Sequence, residues 1–172
     1  MNYASASTLS RQIANREISC TELMRDTLDH IGQINPEYNA IVSISDHSML
    51  LTQAQEADTA LAKGEYRGWM HGFPHAIKDL ANCEGYVTSC GSPLLANNVA
   101  AGDAIFTRRI REAGAIFIGK TNVPEFGLGS QSYNTLHGST RNAFNPALCA
   151  GGSSGGAAVA LALDLLPVAD GS

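Results

Sequence analysis

Basic charge is scarce in this chain, which carries 11 Lys and Arg against 16 Asp and Glu over 172 residues. The net charge of −5 disfavours non-specific attachment to nucleic acid or to an anionic membrane, because both need a basic patch. The one basic cluster, Arg108, Arg109 and Arg111, is short and reads as the solvated face of a helix. Cysteine is sparse too. Cys20, Cys83, Cys90 and Cys149 form no C-x-x-C pair, and so few in a chain of this size exclude a disulfide scaffold. Reduced thiols and a cytoplasmic setting are the expectation. No apolar run is long enough to span a bilayer, and no basic start precedes an apolar core at the N-terminus, so neither a membrane anchor nor a signal peptide is expected. The histidines lack metal-ligand spacing. His71 and His75 are four apart, but Gly72 and Pro74 break the helix that would put them on one face. No metal and no cofactor is expected.

What is present is an ordinary globular composition, 44% hydrophobic and 16% charged, with length enough for one domain and a core. The pattern predicts two parts, a mainly helical layer over residues 1–66 and an α/β core over residues 67–172. Ser7 is the predicted cap of a first helix through Leu9 and Ile13. Ser19-Cys20-Thr21-Glu22 has capping-box form and opens a second, ended by Gly32. Residues 38–44 are β-rich, and residues 48–63 form a third helix stopped by Gly64. Strands are predicted at 73–80 and 115–119, around a helix capped by Asp103. Their alternation implies a mixed sheet with helices packed on it. Residues 127–156 show no periodicity, and a long irregular segment in a compact domain is usually functional. The apolar run 163–169 stops abruptly in Asp170-Gly171-Ser172, as a cut through a domain would.

Two features carry chemistry. Cys149-Ala150-Gly151-Gly152-Ser153-Ser154-Gly155-Gly156 places two serines between glycine pairs, ahead of the alanine-rich run 157–166. Glycines allow close approach, and such a turn before a helix points free N–H groups outward. The turn lacks the Lys-Ser/Thr of a phosphate loop and the G-x-G-x-x-G of a dinucleotide fold. The second feature is His71-Gly72-Phe73-Pro74-His75-Ala76-Ile77-Lys78-Asp79, in which Lys78 ends an apolar strand. Lysine is rarely buried unless paired or functional.

Together with the stretches 115–126 and 138–142, these motifs resemble the amidase signature family, in order and from about His71 to the last residue. The resemblance implies a helical layer on a mixed sheet, cut short at the C-terminus, and hydrolysis of carboxylic amides by a Ser–Ser–Lys triad. It assigns Lys78 as base and Ser153, held by a cis peptide, as proton relay, with Ser154 orienting the turn. Gly129, Ser130 and Gln131 fall on the implied active-site loop with Ser132 beside them, and Gly152 lies in the turn itself. Burial near Ile77 would lower the Lys78 pKa, and Asp79 is expected to point away along the strand. The attacking serine is implied a few residues past Ser172, so this chain alone is expected to be inactive. A small amide is the implied substrate, and a missing C-terminal half or a second copy the implied partner. Ala150, where glutamine-dependent tRNA amidotransferase subunits usually carry proline, favours a plain amidase, as does Val168-Ala169-Asp170-Gly171. A non-catalytic remnant that only binds is the alternative of another class.

Overall fold

Three helices fill the N-terminal third of residues 5–172, the part of the chain that the computed structural model describes. They are α1 (Ala6–Ala14), α2 (Cys20–Tyr38) and α3 (His47–Ala62). Ser5, not Ser7, caps α1, its Oγ accepting the Thr8 N–H at 3.3 Å. The capping box on α2 forms: the Glu22 N–H reaches Ser19 Oγ at 3.0 Å, and the Ser19 N–H reaches Glu22 Oε2 at 2.9 Å. Gly32 does not end α2, which continues to Tyr38 with Pro36 inside it. A proline crowds the carbonyl four residues back, and here that residue is Gly32, which has the most freedom to tilt. Asn39, left-handed at φ 51°, closes the helix.

Asn35 then starts the first strand. Its Oδ1 accepts the N–H groups of Ala40 and Ile41, each at 2.9 Å, and its Nδ2 donates to Ile41 O at 2.8 Å. The expected β-run over 38–44 shrinks to β1 (Ile41–Val42), because α2 claims Tyr38 and Ser43 turns to φ 52°. β2 (Pro74–Lys78) and β3 (Ile116–Thr121) complete a mixed sheet of order β1-β3-β2, with β1 antiparallel and β2 parallel to β3. Every residue of β2 and β3 is buried, as expected of strands covered on both faces. A register shift between His75 and Ala76 sets Ile77 opposite Lys120 and Lys78 opposite Thr121.

α4 (Ile105–Glu112) begins without a side-chain cap. Asp103 instead accepts the Glu84 N–H at 2.7 Å and pairs with Arg111 Nε at 2.7 Å. A charge-assisted pair is a stronger use of that carboxylate than a cap. Residues 127–156 are not irregular throughout. They hold a hairpin, β4 (Tyr133–Asn134) with β5 (Gly138–Ser139), and single bridges join Gln131 to Gly151 and Arg141 to Cys149. α5 (Gly155–Ala162) follows.

One apolar cluster runs from Leu9 and Ile13 through Met24, Leu28 and Leu50 to Phe73, Ile118, Leu165 and Leu166. Helices, sheet and the run after α5 therefore share a core. A smaller cluster of Ile77, Ala81, Cys83 and Phe117 covers the other side of the sheet. α5 meets the sheet through Gly156, where an added Cβ would stand 2.3 Å from Asn122 N and 2.5 Å from Ala40 O. In an open helix a Gly-to-Ala change gains about 1 kcal/mol. Here the clash is with backbone, so Gly156→Ala is expected to cost about 3 kcal/mol of unfolding free energy. Urea denaturation checks this, and a midpoint equal to or above wild type would contradict the packing described.

Candidate active site

Lys78 closes β2 and is 3% exposed. Its Nζ donates to Ser153 Oγ at 2.8 Å, Ser154 Oγ at 2.8 Å and Ser172 Oγ at 2.7 Å, with Ser172 O at 3.4 Å. An ammonium has three protons, and three hydroxyls meet it. Ser153 and Ser154 come from the glycine-flanked turn before α5, in which the Gly152–Ser153 peptide bond is cis. Ser154 also latches the end of the chain, its Oγ accepting the Ser172 N–H at 3.0 Å and donating to Ser172 O at 3.1 Å.

Burial pushes the Lys78 ammonium below its ordinary pKa, while the Asp170 carboxylate pulls it back up. Both Asp170 oxygens accept the Lys78 main-chain N–H, at 3.1 and 3.2 Å. Asp79 turns away from Lys78, as strand alternation requires. Its carboxylate accepts the Ser89 hydroxyl and the N–H groups of Ser89 and Gly91, and lies 3.9 Å from both Lys120 Nζ and His137 Nε2. Lys120 is fully buried and donates to Ala81 O at 2.6 Å and Thr88 Oγ1 at 3.1 Å. Burial lowers its pKa, and Asp79 opposes that shift. Burial also pushes the His137 imidazole down, again against Asp79.

The loop residues reach the turn through their backbones. The Gly152 N–H donates to Ser130 O at 2.8 Å, and Gln131 bridges Gly151. Ser132, fully buried, accepts the Gly155 N–H at 2.9 Å, and the Gly156 N–H goes to Asn122 O at 3.1 Å. The first N–H groups of α5 are thus used inside the fold and do not point outward as the glycine pattern suggested. Gly129 stands on the rim of a cleft of about 480 Å³ with Ser130 and Gln131. Among the described residues no hydrogen bond joins it to Lys78 or the serines. Lys78 borders a second cleft of about 310 Å³ with Phe106, Asp170 and Ser172. Ser154 and Ser172 also line a third, of about 420 Å³, beside Phe144.

Three residues of this corner carried no site role in the sequence: Asp170, Ser172 and His75. One signal was available for Ser172, since a buried ammonium needs a third acceptor besides two serines. His71 is engaged elsewhere, its Nδ1 accepting the Arg67 N–H at 3.1 Å. Among the described residues no group of three His, Cys, Asp or Glu is placed to hold a metal, and no helix is long and apolar enough to cross a membrane. The four cysteines are free thiols.

The Amidase family model matches residues 22–172. The chain is 42% identical over all 172 residues to a glutamyl-tRNA(Gln) amidotransferase subunit from Azoarcus sp. (strain BH72), covering 35% of that protein. It is 40% identical over 168 residues to the corresponding subunit from Marinomonas sp. (strain MWYL1), covering 34% of it. The chain thus spans about a third of the length of the curated relatives it matches. Among solved structures, native peptide amidase from Stenotrophomonas maltophilia superposes with TM-score 0.87 at 32% identity, over 96% of this chain and 35% of that one. 6-Aminohexanoate cyclic dimer hydrolase superposes with TM-score 0.83 at 31% identity, over 96% and 33%.

Lys78 binds its proton less tightly folded than unfolded. The fold therefore gains stability as pH rises from the lowered value to the ordinary 10.5, and loses it as pH falls. The unfolding free energy of wild type minus that of Lys78→Met is expected to grow across that alkaline window. Chemical denaturation at stepped pH measures it, with Cys and Tyr titrations common to both proteins. A flat or falling difference would contradict a depressed Lys78 pKa.

Proposed function

The chain belongs to the Amidase family, and on that premise we propose that it supplies the proton-handling half of a site that hydrolyses carboxylic amides to the acid and ammonia or an amine. The observation that carries this reading is the 2.8 Å hydrogen bond from Lys78 Nζ to Ser153 Oγ inside a corner that depresses the lysine pKa. A neutral Lys78 takes the Ser153 hydroxyl proton as Ser153 takes the proton of the attacking serine. That serine bonds the carbonyl carbon, and the same relay run backwards protonates the leaving nitrogen. Water then cleaves the acyl-serine with the relay working again. The attacking serine is expected a few residues past Ser172, so the 172 residues alone are expected to turn over nothing. Gly129, Ser130, Gln131 and Gly152 would shape the substrate side of the site. The substrate would be a small amide, the setting cytoplasmic, and the partner a C-terminal half or a second copy. Residues 1–66 would serve as a helical layer bracing the 67–172 part.

A second reading is one subunit of a glutamine-dependent tRNA amidotransferase, favoured by the 42% identity over the whole chain. Ala150 in place of the usual proline favours the plain amidase. Both readings use the same proton relay and differ in whether the ammonia released from glutamine is passed on.

The test is amide hydrolysis by the natural gene product on glutamine and simple carboxamides, with and without partner proteins. Lys78→Ala and Ser153→Ala are each expected to lower kcat/KM by about 10²–10⁴-fold. Full turnover in either variant would sink the reading. Turnover of free carboxamides without a partner favours the plain amidase, and turnover of glutamine only with one favours the amidotransferase.

A further inference from the structure

Two groups beside Lys78 have no task in that relay, His75 and Asp170. His75 is 1% exposed, and among the described residues neither of its ring nitrogens makes a hydrogen bond. Nε2 stands 3.3 Å from Asp170 Oδ1, near enough for an electrostatic pair though not in hydrogen-bond geometry. The ring is tilted edge-on against Phe117, centroids 6.1 Å apart. The Asp170 side chain is 12% exposed and grips the Lys78 N–H with both oxygens. A carboxylate at the lysine's own main chain still acts on the ammonium by its charge and favours the charged lysine, which is the wrong form for a base. The polar edge of an imidazole set against the same carboxylate draws on its charge through space and relieves part of that bias.

We propose that Asp170 and His75 are a positioning pair for Lys78: Asp170 fixes the strand end that carries the lysine and acts on the ammonium by its charge from there, and His75 tempers that charge. The inference rests on Lys78 being the base of the reading above. Other charges at this corner are accounted for. Lys120 of β3 shares the field of Asp170, and Asp79 at the end of β2 is turned to Ser89, His137 and Lys120. The turn around residues 151–156 brings hydroxyls and no charge.

The test is the titration of Lys78 itself, followed by NMR in the natural gene product labelled at lysine, with the resonance assigned by its loss in Lys78→Arg. Asp170→Asn is expected to lower the Lys78 midpoint by about one pH unit, because an opposite charge is removed. His75→Leu is expected to raise it, and His75→Gln, which keeps an N–H for Asp170, to return it to wild type. Mere loosening of the corner would admit water and raise the midpoint in every variant. A midpoint unchanged or raised in Asp170→Asn therefore overturns the proposal. Should Asp170→Asn fail to fold, the His75 pair decides, and equal midpoints for Leu and Gln overturn it. Shifts as expected alongside full amide turnover in Lys78→Ala would instead overturn the base role and leave the pair standing.

Discussion

The need of one buried ammonium for acceptors organises this half of the molecule. Lys78 sits where a parallel strand ends, out of water, with three protons to place. It places them on hydroxyls from two separate segments, Ser153 and Ser154 before α5 and Ser172 after it. Sheet, turn and final segment are thereby fixed to one nitrogen. Burial at the same corner weakens the lysine's grip on its proton.

Much of this was legible along the chain, for identifiable reasons. Lys78 stood out because a charged residue ended an apolar strand, and the serine turn because glycine pairs on both sides leave room for little else. The helices were legible from their apolar spacing, and some of their ends from caps and glycine stops, but not all. Gly32 reads as a stop in isolation, yet α2 passes through it because the true stop is Asn39, where two asparagines hand the backbone from helix to strand. Asp103 has the chemistry of a cap but lies within reach of Arg111, and the ion pair wins. Asp170 and His75 are 95 positions apart, so their meeting depends on where the run after α5 packs, which no local pattern records.

The loop over 130–132 shows a related limit. Ser130 and Gln131 are exposed, while Ser132 is buried. In the fold the backbone of Ser130 and Gln131 is paired against 151–152, and the Ser132 hydroxyl is used by Gly155. The turn is therefore built from its neighbours, and the glycines are there to be approached. Gly156 lies against the main chain of Asn122 and Ala40, and Gly152 against Gln131. A glycine turn before a helix points N–H groups outward when that helix end is free, whereas this one is a packing surface.

The order Lys78-Asp79 poses a problem that the sheet solves. Side by side in solution, the two would attract, and the pairing would keep the lysine charged. In a strand they point to opposite faces. Lys78 goes to the serines, and Asp79 goes to Lys120, which the register shift after His75 has set opposite Ile77 on the same side as Asp79. Two buried lysines are thus sorted into different company. Lys120 has the Asp79 carboxylate 3.9 Å away and two acceptors of its own, while the Lys78 ammonium meets three hydroxyls and Asp170 takes its main-chain N–H. Had the register of Pro74 and His75 continued, Lys120 would stand opposite Lys78 and the two ammoniums would share one face. The irregularity at His75 and Ala76 therefore sets the two ammoniums on opposite faces, Lys120 beside Asp79 and Lys78 among the serines.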